Sequence, residues 1–70
     1  VTIYPNPSKG IFTIQHDNIE SITLYNMMGA KVLEEEINAD EYIIRDLQAG
    51  VYFLNVKTNV GSVIKKIVKY

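Results

Sequence analysis

The stretch "LQAGVYFLNVK", from Leu47 to Lys57, joins a glycine corner to a strand pattern and decides how the fold is interpreted. Tyr52, Leu54 and Val56 occupy every second position after the corner, and side chains at that spacing share one face of a β-strand. Aromatic and β-branched residues are also enriched in strands. The stretch therefore predicts a half-buried strand that begins beside Gly50.

The corner itself is predicted to be structural. A tyrosine near the start of a strand often ties the corner of a β-sandwich, because its hydroxyl bonds to the main chain a few residues upstream. We therefore expect Tyr52 to be buried, with its hydroxyl bonded to the main chain between Asp46 and Gln48. Gly50 would supply a backbone conformation closed to other residues, and Leu47 would fill the core ahead of the corner.

The same two-residue period recurs along the chain. Further candidate strands are separated by turn residues, and they cover residues 11–16, 21–26, 31–37, 41–45 and 62–70. We predict an all-β, immunoglobulin-like β-sandwich of about seven short, mainly antiparallel strands, since strands at such regular spacing are typical of that class. The last candidate strand is expected at a sheet edge or beside a bulge, because lysine pairs interrupt both of its faces.

Size and composition limit the possible classes. The 70 residues are enough for a single domain, residues 1–70. The chain has no cysteine and one histidine, which excludes disulfides, thiolate metal sites and clusters of imidazole ligands. Because it begins with Val1 rather than methionine, we expect a fragment of a longer protein. It shows no signal-peptide pattern of its own, and no apolar run approaches the roughly 18 residues of a membrane span.

Charge is distributed unevenly. All eight acidic residues lie between Val1 and Asp46, whereas the rest of the chain holds no acid and four lysines: Lys57, Lys65, Lys66 and Lys69. This cationic segment is interpreted either as an interaction tail or as lysines that protect an edge strand from aberrant pairing. A net charge of −1 argues against nucleic-acid binding, since such modules usually present a basic face interleaved with aromatic residues.

Residues suited to catalysis or metal binding do not form a recognisable group. His16 is interpreted as a strand-end histidine, partly buried or solvated. Glu34 and Glu36 could converge on one face of a strand, but the spacing of the acids lacks the glycine-centred pattern of a calcium loop. The glycines match no phosphate-binding motif. We therefore predict no catalytic residue, no metal and no cofactor.

Four motifs occur in a characteristic order. They are Pro5-Asn6-Pro7, Tyr25-Asn26-Met27-Met28-Gly29, the corner from Leu47 to Tyr52, and a final strand with Lys65, Lys66 and Lys69. In this order and spacing, the chain resembles the C-terminal sorting domain of the type IX (Por) secretion system of Gram-negative bacteria. Asn26 stands where aspartate is frequent in that family, and both residues suit a turn. The resemblance covers essentially the whole chain and implies a seven-stranded sandwich.

The resemblance also implies a function. Such a domain is a secretion signal rather than an enzyme, and it is covalently joined to an upstream cargo protein that crosses the inner membrane with its own N-terminal signal. The translocon then passes the cargo through an outer-membrane channel, and a sortase-like cysteine protease commonly removes the domain. The cargo is released or attached to anionic lipopolysaccharide. The implied location is the periplasm in transit, then the cell surface or the medium.

Recognition by the translocon is assigned, as a hypothesis, to the end of the chain. Lys65, Lys66, Lys69 and Tyr70 would provide charge complementarity, and the backbone of an edge strand could accept an added strand. An unpaired edge could also form a weak homodimer. The residues expected to have structural roles in the family motifs are Pro5, Asn6, Pro7, Gly29, Leu47, Gly50 and Tyr52.

The alternative function is a small adhesive or carbohydrate-binding accessory module. Such a module would need an exposed aromatic platform, for which Tyr4, Tyr25 and Tyr42 are the candidates. Each of these tyrosines also has a packing or turn position that explains it equally well, so the sorting-domain interpretation is preferred.

Overall fold

Antiparallel β-strands build the fold in a computed structural model that describes residues 1–6 and 9–70. The strands are β1 (Thr2–Tyr4), β2 (Phe12–Asn26), β3 (Lys31–Ile44), β4 (Gly50–Thr58) and β5 (Gly61–Lys69). The described residues contain no helix, so the predicted all-β class is confirmed. Pro7, which the sequence assigns a structural role, lies outside the described residues, as does Ser8. In the described part of the chain, no helix has the length and apolarity to cross a membrane.

The long strand β2 organises the sheet. Its first half pairs with β1 on one side and with the end of β3 on the other, whereas its second half pairs with β4 and with the beginning of β3. Among the described strands β5 pairs with β4 alone, so the order is β1-β2-β4-β5 with β3 along the other side of β2. The final strand therefore lies at an edge of the sheet, as its lysine pattern predicts.

The predicted number of about seven strands is not confirmed: residues 1–6 and 9–70 form five strands in one continuous hydrogen-bonded sheet. Residues 11–16 and 21–26, predicted as separate strands, belong to β2, and residues 31–37 and 41–45 belong almost entirely to β3. The polar segments between them are bulges rather than turns. Asn18 and Asn38 adopt positive φ values of 56° and 52°, and the β2–β3 register shifts between Gln15 and Ser21. A bulge bends a strand without ending its pairing.

One face of the sheet carries the buried core. The fully or almost fully buried apolar side chains form a single cluster, and they are Phe12, Ile14, Ile19, Ile22, Leu24, Ile44, Tyr52, Leu54, Val56 and Ile67. Members of this cluster come from both halves of β2, so the sheet must curl around its own inner face to bring them together. Leu47 is half-buried and packs against the cluster, which is the position predicted for it.

The corner before β4 has the predicted geometry. The hydroxyl of Tyr52 donates a hydrogen bond to the main-chain oxygen of Gln48 over 2.7 Å, and the tyrosine is only 7% exposed. Gly50 has a φ of +154°, a conformation that side-chain-bearing residues rarely adopt. The stretch from Leu47 to Tyr52 therefore fastens the loop between β3 and β4 to the core.

The turn between β2 and β3 is organised by Asn26. Its side-chain oxygen accepts hydrogen bonds from the main-chain N–H groups of Met28 at 2.9 Å and Ala30 at 3.0 Å. Gly29 follows with a φ of +82°, a left-handed conformation that glycine adopts without a steric penalty. An asparagine or aspartate oxygen that bonds to the main chain two residues on is a common turn device.

Replacing Asn26 should test this turn. Asn26→Ala removes both hydrogen bonds and is expected to lower the free energy of unfolding by about 1–2 kcal/mol, whereas Asn26→Asp keeps the acceptor and should stay close to wild type. Urea denaturation of the two variants measures the difference. Equal stabilities for alanine and aspartate would show that the side-chain oxygen does not hold the turn.

Candidate functional site

Strand β5 carries the residues to which the sequence assigns recognition. Ile67 is fully buried in the core, opposite Tyr52 of β4, and it fixes which side of β5 faces inward. Because side chains alternate along a strand, Lys65 and Lys69 share the inward side with Ile67, whereas Lys66 points to the outer face of the sheet. The predicted cationic residues are therefore divided between two faces.

Lys65 lies at the open margin of the inner face. Its strand partner is Leu54 of β4, yet the lysine is exposed because, in the described part of the chain, no strand follows β5 on that side. It lines a shallow cleft of about 330 Å³ together with Asn6 and residues 1–3. This cleft separates the edge of β5 from β1, so the curled sheet brings its two ends near each other without pairing them.

Lys66 belongs to a cross-strand row on the outer face. The row runs from Lys31 of β3 through Tyr25 of β2 and Phe53 of β4 to Lys66. Directly opposed side chains in antiparallel strands lie close enough to interact. The outer face of β5 thus combines a positive charge with neighbouring aromatic rings.

Lys69 is half-buried and faces a different region. It lines an open groove of about 500 Å³ with Lys9 and Arg45, two further cations, and with Asp46. Its ammonium group also donates to the main-chain oxygen of Tyr70 at 3.4 Å. Tyr70 follows the end of β5 and is 65% exposed. The structure therefore does not bring the predicted recognition residues into one patch.

Asn6 makes a contact with β5 that the sequence does not reveal. Its side-chain amide donates to the main-chain oxygen of Lys66 at 3.0 Å and accepts from the main-chain N–H of Val68 at 3.2 Å. These groups lie 60 and 62 residues away in sequence. The Tyr4–Pro5 peptide bond that precedes Asn6 is cis. The Pro5-Asn6-Pro7 motif thus places one side chain against the outer edge of the last strand.

The family model described as a secretion system C-terminal sorting domain matches residues 2–70, almost the entire chain. The chain belongs to this family. It is a sorting signal of the type IX secretion system, as the four motifs and their order indicate. The family describes a signal and not a catalyst, which agrees with the interpretation from the sequence.

Two curated relatives carry a similar segment. The sorting domain is 34% identical to part of an ulvan lyase from Nonlabens ulvanivorans, over 90% of this chain and 13% of that protein. It is also 34% identical to part of an endo-acting ulvan lyase from Formosa agariphila, over 99% of this chain and 15% of that protein. The chain thus spans about one seventh of the length of these relatives, and their names describe proteins much larger than the sorting domain.

The other polar residues considered in the sequence lie outside this region. His16 is half-buried and lines an open groove with Asp17, Asp40 and Glu41. Glu34, Glu35 and Glu36 are exposed, and Glu34 forms an ion pair with Lys31 at 3.2 Å. Within residues 1–6 and 9–70, no group of three or more histidine or acidic side chains is arranged to hold a metal ion.

The tyrosines considered for a carbohydrate platform are separated in the sorting domain. Tyr42 is paired with Ile14, a core residue, and it packs against the core. Tyr4 is paired with Thr13, the neighbour of Ile14 in β2. Because neighbouring side chains in a strand alternate, Tyr4 points to the face opposite that of Tyr42. Tyr25 lies in the other half of β2. These three rings do not share one surface.

Proposed function

We propose that the sorting domain presents β5 to the outer-membrane translocon of the type IX system as its recognition element. The observation that supports this proposal is the position of β5 at a sheet edge, with Lys65 and Lys66 exposed on it. The two lysines form no ion pair with another described residue, so their charge remains available to a partner. Charge complementarity of this kind mainly speeds encounter and fixes orientation.

We also propose a route for the cargo. An upstream cargo protein is joined to the sorting domain and passes through the periplasm before it reaches the cell surface or the medium. A sortase-like cysteine protease of the system then removes the domain. The shared similarity to two ulvan lyases supports a polysaccharide-degrading enzyme as the cargo.

The bends in β2 and β3 bear on the two-layer sandwich that the sequence predicts. We infer that the bends in β2 and β3 divide the curled sheet into two layers of an immunoglobulin-like sandwich. One layer would hold β1 with the first half of β2, and the other would hold β4 and β5 with the second half. The support is that β2 changes its neighbour from β1 to β4 at the bulge near Ile19.

A fusion experiment tests the proposed function. The 70 residues are placed behind a periplasm-targeted fluorescent protein in cells with a functional type IX system. We expect fluorescence at the cell surface or in the medium, and the same fusion should stay in the periplasm of cells that lack the translocon. Periplasmic retention of the folded fusion in competent cells would contradict the proposal.

Removal of charge from β5 should stop secretion without unfolding the domain. The triple variant Lys65→Gln, Lys66→Gln and Lys69→Gln keeps most of the side-chain length, so its melting temperature should stay near that of wild type. A control variant carries glutamine at Lys9, Lys31 and Lys57, which removes the same charge from outside β5. We expect reporter secretion to be lost only in the first variant. Normal secretion of that variant would exclude the lysines from recognition.

A further inference from the structure

The outer edge of β5 is closed over one half of its length and open over the other. Asn6 bonds to the main-chain oxygen of Lys66 and to the N–H of Val68, which shows that these two residues direct their main-chain groups away from β4. The β4–β5 register runs without interruption from Gly50–Lys69 to Thr58–Gly61. Since main-chain groups alternate sides along a strand, those of Ser62 and Ile64 also point outward.

The amide of Asn6 acts as a short substitute for a neighbouring strand. It contributes one donor, which bonds to the main-chain oxygen of Lys66, and one acceptor, which bonds to the main-chain N–H of Val68. A strand added beside β5 would need these same two groups. Asn6 therefore prevents strand addition along Lys66–Val68 and confines it to the half that includes Ser62 and Ile64.

The open half of the edge is accessible. Strand β5 pairs only with β4 among the described strands, so the outward main-chain groups of Ser62 and Ile64 have no strand partner. The side chain of Ile64 is 68% exposed, and Val63 beside it is 39% exposed. Unpaired main-chain groups beside exposed apolar side chains are the features that strand-adding partners use.

The charges at the junction of the two halves define the chemistry of a partner. Lys65 and Lys66 are consecutive, so they point to opposite faces of the sheet. An added strand that reaches this junction could neutralise both lysines only with acidic side chains on both of its own faces. Two consecutive acidic residues satisfy this requirement, because neighbouring side chains in a strand also alternate.

We propose that the β5 edge at Ser62–Ile64 is a strand-addition site for an extended partner segment with consecutive acidic residues, and that Asn6 fixes where the added strand ends. This inference rests on the proposed recognition role of β5 and specifies the partner. The partner pairs with main-chain groups, which give affinity, while Lys65 and Lys66 select the acidic sequence.

A peptide with the sequence KVLEEEI is a suitable probe, because residues 31–37 of this chain already adopt an extended strand with consecutive glutamates. The control peptide KVLQQQI has the same length without the acidic groups. In an NMR titration of the domain, we expect the acidic peptide to shift the amide signals of Ser62 and Ile64. It should bind about tenfold more tightly than the control, because charge complementarity speeds association and a faster association at a similar dissociation rate lowers the Kd. Equal binding of the two peptides, or shifts elsewhere on the sheet, would overturn the proposal.

Two variants of Ile64 distinguish the contribution of its main chain to peptide binding from that of its side chain. Ile64→Pro removes the outward N–H but leaves the bonds between β4 and β5, since proline is tolerated where the N–H of an edge strand faces solvent. Ile64→Thr keeps the N–H and shortens the apolar side chain. We expect the proline variant to bind the acidic peptide about tenfold more weakly or worse, because an acceptor of the added strand loses its donor. The threonine variant should bind within about threefold of wild type, and a thermal melt of each variant verifies folding.

Further outcomes distinguish this inference from the proposed function. If Ile64→Pro binds the peptide and supports reporter secretion as well as wild type, strand addition is overturned while lysine-dependent recognition stands. If no reporter is secreted even by the wild-type domain, the sorting proposal fails, and the titration still decides whether the edge binds an acidic strand. If sedimentation shows a dimer that Ile64→Pro abolishes and the peptide does not bind, a second copy occupies the edge and the acidic partner is excluded.

Discussion

Tyr52→Ala is expected to lower the free energy of unfolding by about 3–5 kcal/mol, the range found when a large buried ring is truncated to alanine. The ring lies in the common core opposite Ile67, and its hydroxyl bonds to the main-chain oxygen of Gln48. The alanine variant loses both the packing and the anchor of the loop. For a domain of this size, such a loss is a large part of a total stability of about 5–15 kcal/mol.

Tyr52→Phe is the matched control for the hydroxyl. It keeps the ring and removes only the hydrogen bond of 2.7 Å to Gln48, so we expect a loss of about 1 kcal/mol. Chemical denaturation of the three proteins measures both steps. If the phenylalanine variant is as unstable as the alanine variant, the hydroxyl rather than the packed ring holds the corner. If the alanine variant is as stable as wild type, the corner does not support the fold.

Gly50→Val is expected to destabilise the domain by about 1–3 kcal/mol, the usual cost of forcing a side chain into a rarely populated backbone region. The φ of Gly50 is +154°, and a Cβ there would lie 3.9 Å from the Tyr52 ring, which is ordinary contact. The cost therefore comes from the backbone rather than from a clash. β-Branched residues are the least tolerant of positive φ.

Gly10→Ala provides the comparison for Gly50. Among the described residues other than its chain neighbours, no atom lies within 4 Å of a Cβ built at Gly10, and its backbone is not in the positive-φ region. Alanine should therefore be neutral or slightly stabilising there, because it lowers the conformational entropy of the unfolded chain. Thermal melts of both variants test this contrast. A stable Gly50→Val protein would mean that the corner relaxes to another conformation.

Stability measurements also separate folding defects from recognition defects in secretion assays. Variants at Tyr52 or Gly50 should lose secretion together with stability. The lysine variants of β5 should lose secretion at an unchanged melting temperature. A variant of Ile64 that folds but no longer binds the acidic peptide would assign the loss to the sheet edge.

The corner and the core could be predicted because both depend on local spacing. Alternation identifies Tyr52, Leu54 and Val56 as inward residues, and all three are buried. A tyrosine two residues after a glycine likewise places its hydroxyl near the loop that it fastens. These features follow from the geometry of a few consecutive residues, which any extended strand imposes.

The number of strands could not be predicted in the same way. The polar residues around Asn18 and Asn38 have the composition of turns, and at the level of composition a turn and a bulge are alike. Whether the chain reverses or continues there depends on whether the partner strand follows the same bend. The β2–β3 pairing does continue beyond both residues, and this requires contacts between distant parts of the chain.

The sequence by itself determined the all-β class, the inward face of β4, the corner at Tyr52 and the family, because alternation, turn residues and motifs can be recognised along the chain without its tertiary contacts. Tertiary structure alone decided that Lys65 and Lys66 border a half-open edge and that Asn6 closes its other half. The physical reason is the curl of the sheet. Because the sheet curls around a single core, the residues that follow β1 lie beside the edge of β5. Asn6 can then form a hydrogen bond with Lys66, 60 positions away in sequence.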